Sequence, residues 1–147
     1  MLKNIDPLLT PDLLLVLAAM GHGDELVIVD ANFPAVSTAQ RLIRLDGVSA
    51  TRALQAVLSL LPLDDFVDSP AAVMQVVDAP DMVPEVVQEF KRLLNVAHGK
   101  DVLVTPIERF KFYERSSAAF AVIVTGETRL YGNVILKKGI IRPATIH

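Results

Sequence analysis

Apolar residues change their spacing several times along the chain, and each change marks an element. Thr10-Pro11-Asp12 supplies a capping hydroxyl followed by proline at a first helical position. A helix is therefore expected through Met20, ended by Gly21. Residues 25–30, "ELVIVD", form a short continuous apolar run rich in β-branched side chains. Such a run reads as a strand covered on both faces, and Pro34 stops it from continuing. Residues 37–47, "STAQRLIRLDG", fit a helix and a strand equally. Ser49 opens the next helix, through Leu61, with Pro62 beyond. "AAVMQVVDA", 71–79, reads as a second buried strand.

Pro84 opens "PEVVQEFKRLLNVAHG", whose apolar positions recur at helical spacing until Gly99. "DVLVTP", 101–106, is a third strand, and "IERFKFYERSSA", 107–118, a helix. "AFAVIVTG", 119–126, and "GNVILKKG", 132–139, are the last two strands, joined by the turn "ETRLY". Helices alternate with strands first, and a hairpin-like pair closes the chain. That order predicts a three-layer α/β/α domain, residues 1–147, around a mixed, mostly parallel sheet. No linker, low-complexity segment or internal repeat divides it.

Composition sharpens this picture. Hydrophobic residues make up 52% of 147, with a mean hydropathy of +0.43 and only 5% aromatics. The aliphatic excess is expected to fill both faces of the sheet and to leave faces for other subunits. A net charge of −3 supplies no basic stripe for nucleic acid. No apolar run reaches membrane-spanning length, and Leu13 to Met20 lacks a preceding basic region, so no signal peptide is expected. There are no cysteines, which excludes disulfides and thiolate metal sites and is compatible with a cytoplasmic location. Three scattered histidines offer no recognisable metal-ligand spacing, so no metal is expected.

The candidate chemistry concentrates in "GHGDELVIVDANFPA". His22 sits between two glycines, and Asp30 ends the apolar run. Taken alone, His22 reads as a solvated loop histidine after a helix end. Asp30 reads equally as a turn cap or as a ligand at the carboxyl end of a strand. Fully extended, the residues from His22 to Asp30 span roughly 26 Å. Both can touch one small ligand only if residues 21–25 fold back or the site is completed in another way. Tyr131 and Asn133, two apart where the last strand begins, share a face if extended. The charges of "ERFKFYER" read mostly as a solvated helix face, and Lys137-Lys138 as surface charge. His98 reads as a helix-end residue and His147 as tail.

The motifs "GHGDELVIVDANFPA", "RLIRLDG", "ERFKFYERS", "AFAVIVTGE" and "YGNVILKKG", in this order and spacing, resemble the L-fucose mutarotase / D-ribose pyranase family, closer to its fucose branch. The resemblance spans roughly residues 1–140. It implies a cofactor-independent sugar mutarotase that interconverts the anomers of L-fucose or a related monosaccharide. A ribose pyranase or a non-catalytic sugar-binding accessory of a transport system are the alternatives. It further implies a catalytic His22, substrate contacts from Asp30, Arg109, Tyr131, Gly132 and Asn133, and no cofactor or metal. The expected assembly is a homo-oligomer, a decamer of two pentameric rings, with sites at subunit boundaries. In that arrangement Tyr131 and Asn133 serve a site built around His22 and Asp30 of the adjacent chain. Fucose-branch members often read "DAHFPAHS" where this chain has "DANFPAVS", so Asn32 and Val36 replace two histidines. The tail "IIRPATIH" extends past the usual end.

Overall fold

The computed structural model describes residues 1–144. Among them, β1 (Glu25–Val29), β2 (Leu42–Leu45), β3 (Ala71–Met74), β4 (Val104–Ile107), β5 (Ala121–Thr125) and β6 (Val134–Lys137) form one sheet in the order β2-β5-β1-β6-β3-β4. The β1–β5, β2–β5 and β3–β4 pairs are parallel. β6 alone runs antiparallel, between β1 and β3. The helices are α1 (Pro11–Ala19), α2 (Ala35–Thr38), α3 (Ala50–Leu58), α4 (Glu85–His98) and α5 (Arg109–Ala118).

Strand alternation divides the interior into two cores. Leu26 and Ile28 point to the face covered by Leu13 of α1, Leu54 of α3 and Phe90 of α4. Val27 and Val29 point to the opposite face, against Ala35 of α2 and Phe112 of α5. Both sets are fully buried, which is why β1 reads as an unbroken apolar run instead of an alternating one. The architecture is the three-layer α/β/α arrangement expected, with a mixed, mostly parallel sheet.

The predicted caps hold. Thr10 Oγ1 accepts from the Leu13 amide, and Ser49 Oγ from the Arg52 amide. The ambiguous stretch 37–47 turns out to combine both alternatives, the end of α2 and then β2. Three expectations are corrected. The strand expected over 71–79 stops at Met74, because Gln75 begins a loop in which Asp78 adopts a positive φ of 63° before Pro80. The strand expected over 101–106 is instead 104–107, which takes Ile107 from the expected helix, and Pro106 is tolerated inside β4 because it is an edge strand. Finally, β5 and β6 are not a hairpin: β1 lies between them, paired with both. The connection 126–133 crosses the end of β1, tied down there by the Ala31 amide donating to the Glu127 carbonyl.

Phe90 is fully buried in the α1–α3–α4 core. Phe90→Ala is expected to lower the unfolding free energy by about 3–5 kcal/mol through lost transfer energy and the cavity left behind. Urea denaturation measures this, and a loss below about 1 kcal/mol would show that the core closes around the gap.

Candidate active site

A cleft of about 200 Å3 opens above the start of β6, between the carboxyl ends of β1 and β3. Ligands of open α/β sheets bind at such a position. Asp30 follows the last residue of β1, and Arg109 is the first residue of α5 after β4. Tyr131 and Asn133 come from the crossing loop, and all four line the cleft together with Asn32 and Tyr113.

Asp30 is both a turn cap and a cleft residue. Its Oδ1 accepts from the Asn32 amide, and its own amide donates to Asn133 Oδ1, which locks the loop onto the end of β1. Burial pushes the Asp30 carboxyl above the ordinary carboxylate range. Hydrogen bonds from the Asn32 and Phe33 amides, the Asn133 side chain and the Gly132 amide oppose that shift without overcoming it. The Arg109 Nε is buried and has no protein partner among the described residues. An unpaired buried N–H is unfavourable, and a ligand hydroxyl in the cleft would satisfy it. The guanidinium stacks on the Phe110 ring at 4.5 Å.

Tyr131 corrects the expectation of an extended Tyr131–Asn133 pair: its φ is +64°. That conformation turns the ring back across the sheet, where its hydroxyl accepts from the Val77 amide at 3.0 Å. The hydroxyl proton stays available to donate into the cleft. Gly132 is required by space: a Cβ there would meet Glu127 Cγ at 2.8 Å. The same loop is anchored by Arg129, which bridges buried Glu127 to Glu89 of α4. Burial disfavours the Glu127 charge, but the Arg129 side chain and amide outweigh it and hold the carboxyl below its usual range.

His22 lies elsewhere. Residues 21–24 close a turn, the Asp24 amide donating to the Gly21 carbonyl, but the turn stays at the start of β1, so five residues of strand, roughly 16 Å, separate the histidine from Asp30. At that opposite end of the sheet, His22 Nε2 lies 3.0 Å from Oδ1 of Asp64, whose side chain is buried. Burial works against the Asp64 charge. Bonds to His22 and the Phe66 amide, with the charges of His22 and Lys137, outweigh it and keep the carboxyl below its ordinary value. An ionised carboxylate only accepts, so Nε2 carries a proton in this contact, and in the neutral ring Nδ1 is the acceptor. The Phe66 ring packs on the imidazole at 5.1 Å. Arg142 of the tail stacks over Phe66 and pairs with Asp65, whereas His147 lies outside the described residues.

The structure thus groups Asp30, Arg109, Tyr131, Gly132 and Asn133 at one end of the sheet and leaves His22 at the other. The expected division, with His22 and Asp30 on one chain and Tyr131 and Asn133 on its neighbour, is corrected: Asp30 belongs with Tyr131 and Asn133. Asp64 and Tyr113 escaped the sequence reading. Asp64 carried no local signal, since its partner lies 42 residues away. Tyr113 could have been found, because it stands four residues after Arg109 on the same helical face. His98 is the last residue of α4, as expected. A larger groove of about 580 Å3 lies between β4 and α4, and none of the residues singled out for chemistry lines it. Among the described residues, no three His, Cys, Asp or Glu side chains cluster to hold a metal, and no helix is long and apolar enough to cross a membrane.

The sign of the Asp30 shift sets a test. A carboxyl raised in the folded state stabilises the fold below its unfolded pKa, and that contribution is lost as pH rises through the folded value. Ionised Asp30 is then a burden near neutral pH. Asp30→Asn keeps an acceptor for the Asn32 amide without the charge. It is expected to melt at a higher temperature than the native chain near neutral pH, with the difference shrinking in acid. A lower melting temperature near neutral pH would show that the carboxylate's hydrogen bonds outweigh its burial.

A sequence profile of the RbsD / FucU transport protein family matches residues 3–141. The chain is 44% identical over 140 residues to an L-fucose mutarotase of Actinobacillus pleuropneumoniae serotype 5b (strain L20), covering 95% of this chain and 97% of that one. It is 50% identical over 146 residues to the fucose mutarotase of Homo sapiens, covering 95% and 94%. The crystal structure of the fucose mutarotase in complex with L-fucose from Streptococcus pneumoniae superimposes with a TM-score of 0.90 at 46% identity, over 96% of this chain and 100% of that one. With its motifs in order, its sheet closed around an antiparallel β6 and the match running from residue 3 to 141, the chain belongs to the RbsD / FucU family.

Proposed function

We infer that the chain is an L-fucose mutarotase whose active site is completed by a second copy. The observation that carries the shared site is the placement of His22 at one end of β1 and the Asp30 cleft at the other. Each chain holds two halves that cannot meet within it. Closed homo-oligomers solve this, because every subunit lends its His22 end to one neighbour and receives another's at its cleft. The assembly we propose is a decamer of two pentameric rings. L-fucose is the favoured sugar, since the relatives named for it share 44–50% identity across nearly the whole chain.

Mutarotation breaks the bond between the anomeric carbon and the ring oxygen. The anomeric hydroxyl loses its proton, its electrons form the aldehyde carbonyl, and the ring oxygen gains a proton. Rotation exposes the other carbonyl face, and closure runs the same transfers backwards. The Nδ1 of the neutral His22 ring takes the anomeric proton, Asp64 stabilises the imidazolium that forms, and the imidazolium gives that proton to the ring oxygen. Asp30 accepts from a sugar hydroxyl, while Arg109 Nε, the Tyr131 hydroxyl and the Asn133 amide supply donors. All of these groups work by proton transfer and hydrogen bonding, the chemistry that ring opening requires. A carboxylate-paired imidazole also distinguishes this reading from a sugar-binding accessory, which needs hydroxyl contacts but no titrating group.

Saturation-transfer NMR on L-fucose is expected to show enzyme-dependent anomer exchange, reduced about 10²–10⁴-fold by His22→Ala. An alanine variant exchanging at the native rate would remove His22 from the mechanism. Exchange of ribose ring forms without exchange of L-fucose anomers would overturn the sugar assignment. Mixing His22→Ala with Asp30→Ala subunits under conditions of exchange is expected to restore part of the activity, because some boundaries then join two intact halves. A fully active monomer by light scattering would defeat the shared site.

A further inference from the structure

We propose that Lys138 is a positioning residue that holds the His22–Asp64 pair in its reactive arrangement, an inference that rests on the mutarotase reading above. His22 sits on a glycine-flanked loop with its side chain 43% exposed, so its own packing restrains it little. Lys138 ties that loop down from below. Its Nζ donates to the carbonyls of Leu17, at 2.8 Å, and Met20, at 2.6 Å, in the last turn and C-cap of α1 before Gly21. A cation is favoured there by the helix dipole, and a lysine supplies enough donors for both carbonyls.

The backbone of the same residue joins the other half. The Lys138 carbonyl accepts from the Gly23 amide and its amide donates to the Asp24 carbonyl, bracketing His22 on its C-terminal side. Lys138 also forms an isolated antiparallel bridge with Leu63. On either side of it, the Asp64 amide donates to the Lys137 carbonyl and the Gly139 amide to the Pro62 carbonyl. A Cβ on Gly139 would fall 2.4 Å from the Leu63 carbonyl oxygen, so the two segments touch backbone to backbone. Residues 137–139 are therefore a splint with the imidazole loop on one side and the carboxylate loop on the other. A substitution can remove the Lys138 side chain, with its two bonds to the end of α1, while leaving the backbone bridges in place. The reading of Lys137-Lys138 as plain surface charge is corrected for Lys138, whose ammonium lies on the helix end.

The test uses Lys138→Met in the full-length assembly. Exchange of L-fucose anomers at saturation is expected to fall about 10²-fold, the usual consequence of a small misplacement of a reacting group. The half-saturating concentration is expected to stay within about threefold of native, because the sugar contacts lie at the other end of the sheet. Lys138→Arg, which keeps a cation and donors at the helix end, is expected to recover most of the rate. The His22 ring ¹⁵N shifts are the second readout. For the neutral form of the ring they are expected to report one tautomer, with the proton on Nε2, in the native protein and a mixture of tautomers in Lys138→Met. Lys138→Gln carries the same measurements if the methionine variant fails to fold. Native exchange with native ring shifts would overturn the proposal. So would a fall in rate with unchanged ring shifts, or losses of rate and affinity in equal measure. If the native protein does not exchange L-fucose anomers, the mutarotase reading fails, and the ring shifts alone decide the role of Lys138.

Discussion

The antiparallel insertion of β6 between β1 and β3 is the constraint on which both halves of the site depend. Its register with β1 pairs Ile28 with Val134 at one end and Glu25 with Lys137 at the other. The first end delivers Tyr131, Gly132 and Asn133 to Asp30. The second delivers Lys138 to the loops of His22 and Asp64. A one-residue slip would turn Ile135 away from the α2–α5 core and Leu136 away from the α1–α3–α4 core. Because both sets are fully buried, packing specifies the register strongly, and so fixes two sets of polar groups at opposite edges with one four-residue strand.

The carboxyls of Asp30 and Asp64, one at each half of the proposed site, are shifted in opposite directions by their surroundings. Burial dominates at Asp30 and raises its carboxyl, whereas at Asp64 the bonds to His22 and Phe66 outweigh burial and lower it. An Asp64 that stays ionised gives His22 a fixed tautomer. An Asp30 held at an energetic disadvantage gains most when a sugar hydroxyl donates to it. Pairs of titratable groups pushed apart by environment mark a division of roles in many active sites. The division here follows from where β1 begins and ends.

The fold was legible wherever one signal sufficed. The β1 run, the Thr10 and Ser49 caps and the α4 period each depend on neighbours in the sequence, and each was found. What stayed hidden depends on distant partners. β5 and β6 looked like a hairpin because a short connection joins them, and nothing in "ETRLY" announces that β1 lies between. The clue is spread over Glu127, Arg129 and Glu89, whose contacts hold the loop in its crossing path. Asp64 carries no local signal, and Lys138 reads as surface charge, for the same reason. Their contacts span 42 residues in one case and 118 and 121 in the other. His22 and Asp30 themselves came from the family resemblance, since each alone has a bland local explanation. For Asp30 that explanation is also correct: the turn cap and the cleft carboxylate are one side chain.

The surface near each half fits the proposal that a second copy completes the site. Phe66, stacked on the imidazole, is 64% exposed, and so is Leu130 at the lip of the cleft, with Phe110 at 63% beside Arg109. Scattered apolar side chains on a surface are ordinary, but these flank the His22–Asp64 pair and the cleft that holds the Arg109 Nε, unpaired among the described residues. On the proposed reading, one place has a base with no substrate groups around it, and the other has substrate groups with no base. Covering both with protein would remove water from the imidazole and from Arg109 at the same time, strengthening every hydrogen bond to the sugar. In the proposed ring, assembly and catalysis therefore draw on the same surfaces. The aliphatic excess of the sequence then has two destinations, the two cores flanking the sheet and the boundaries at which the halves meet.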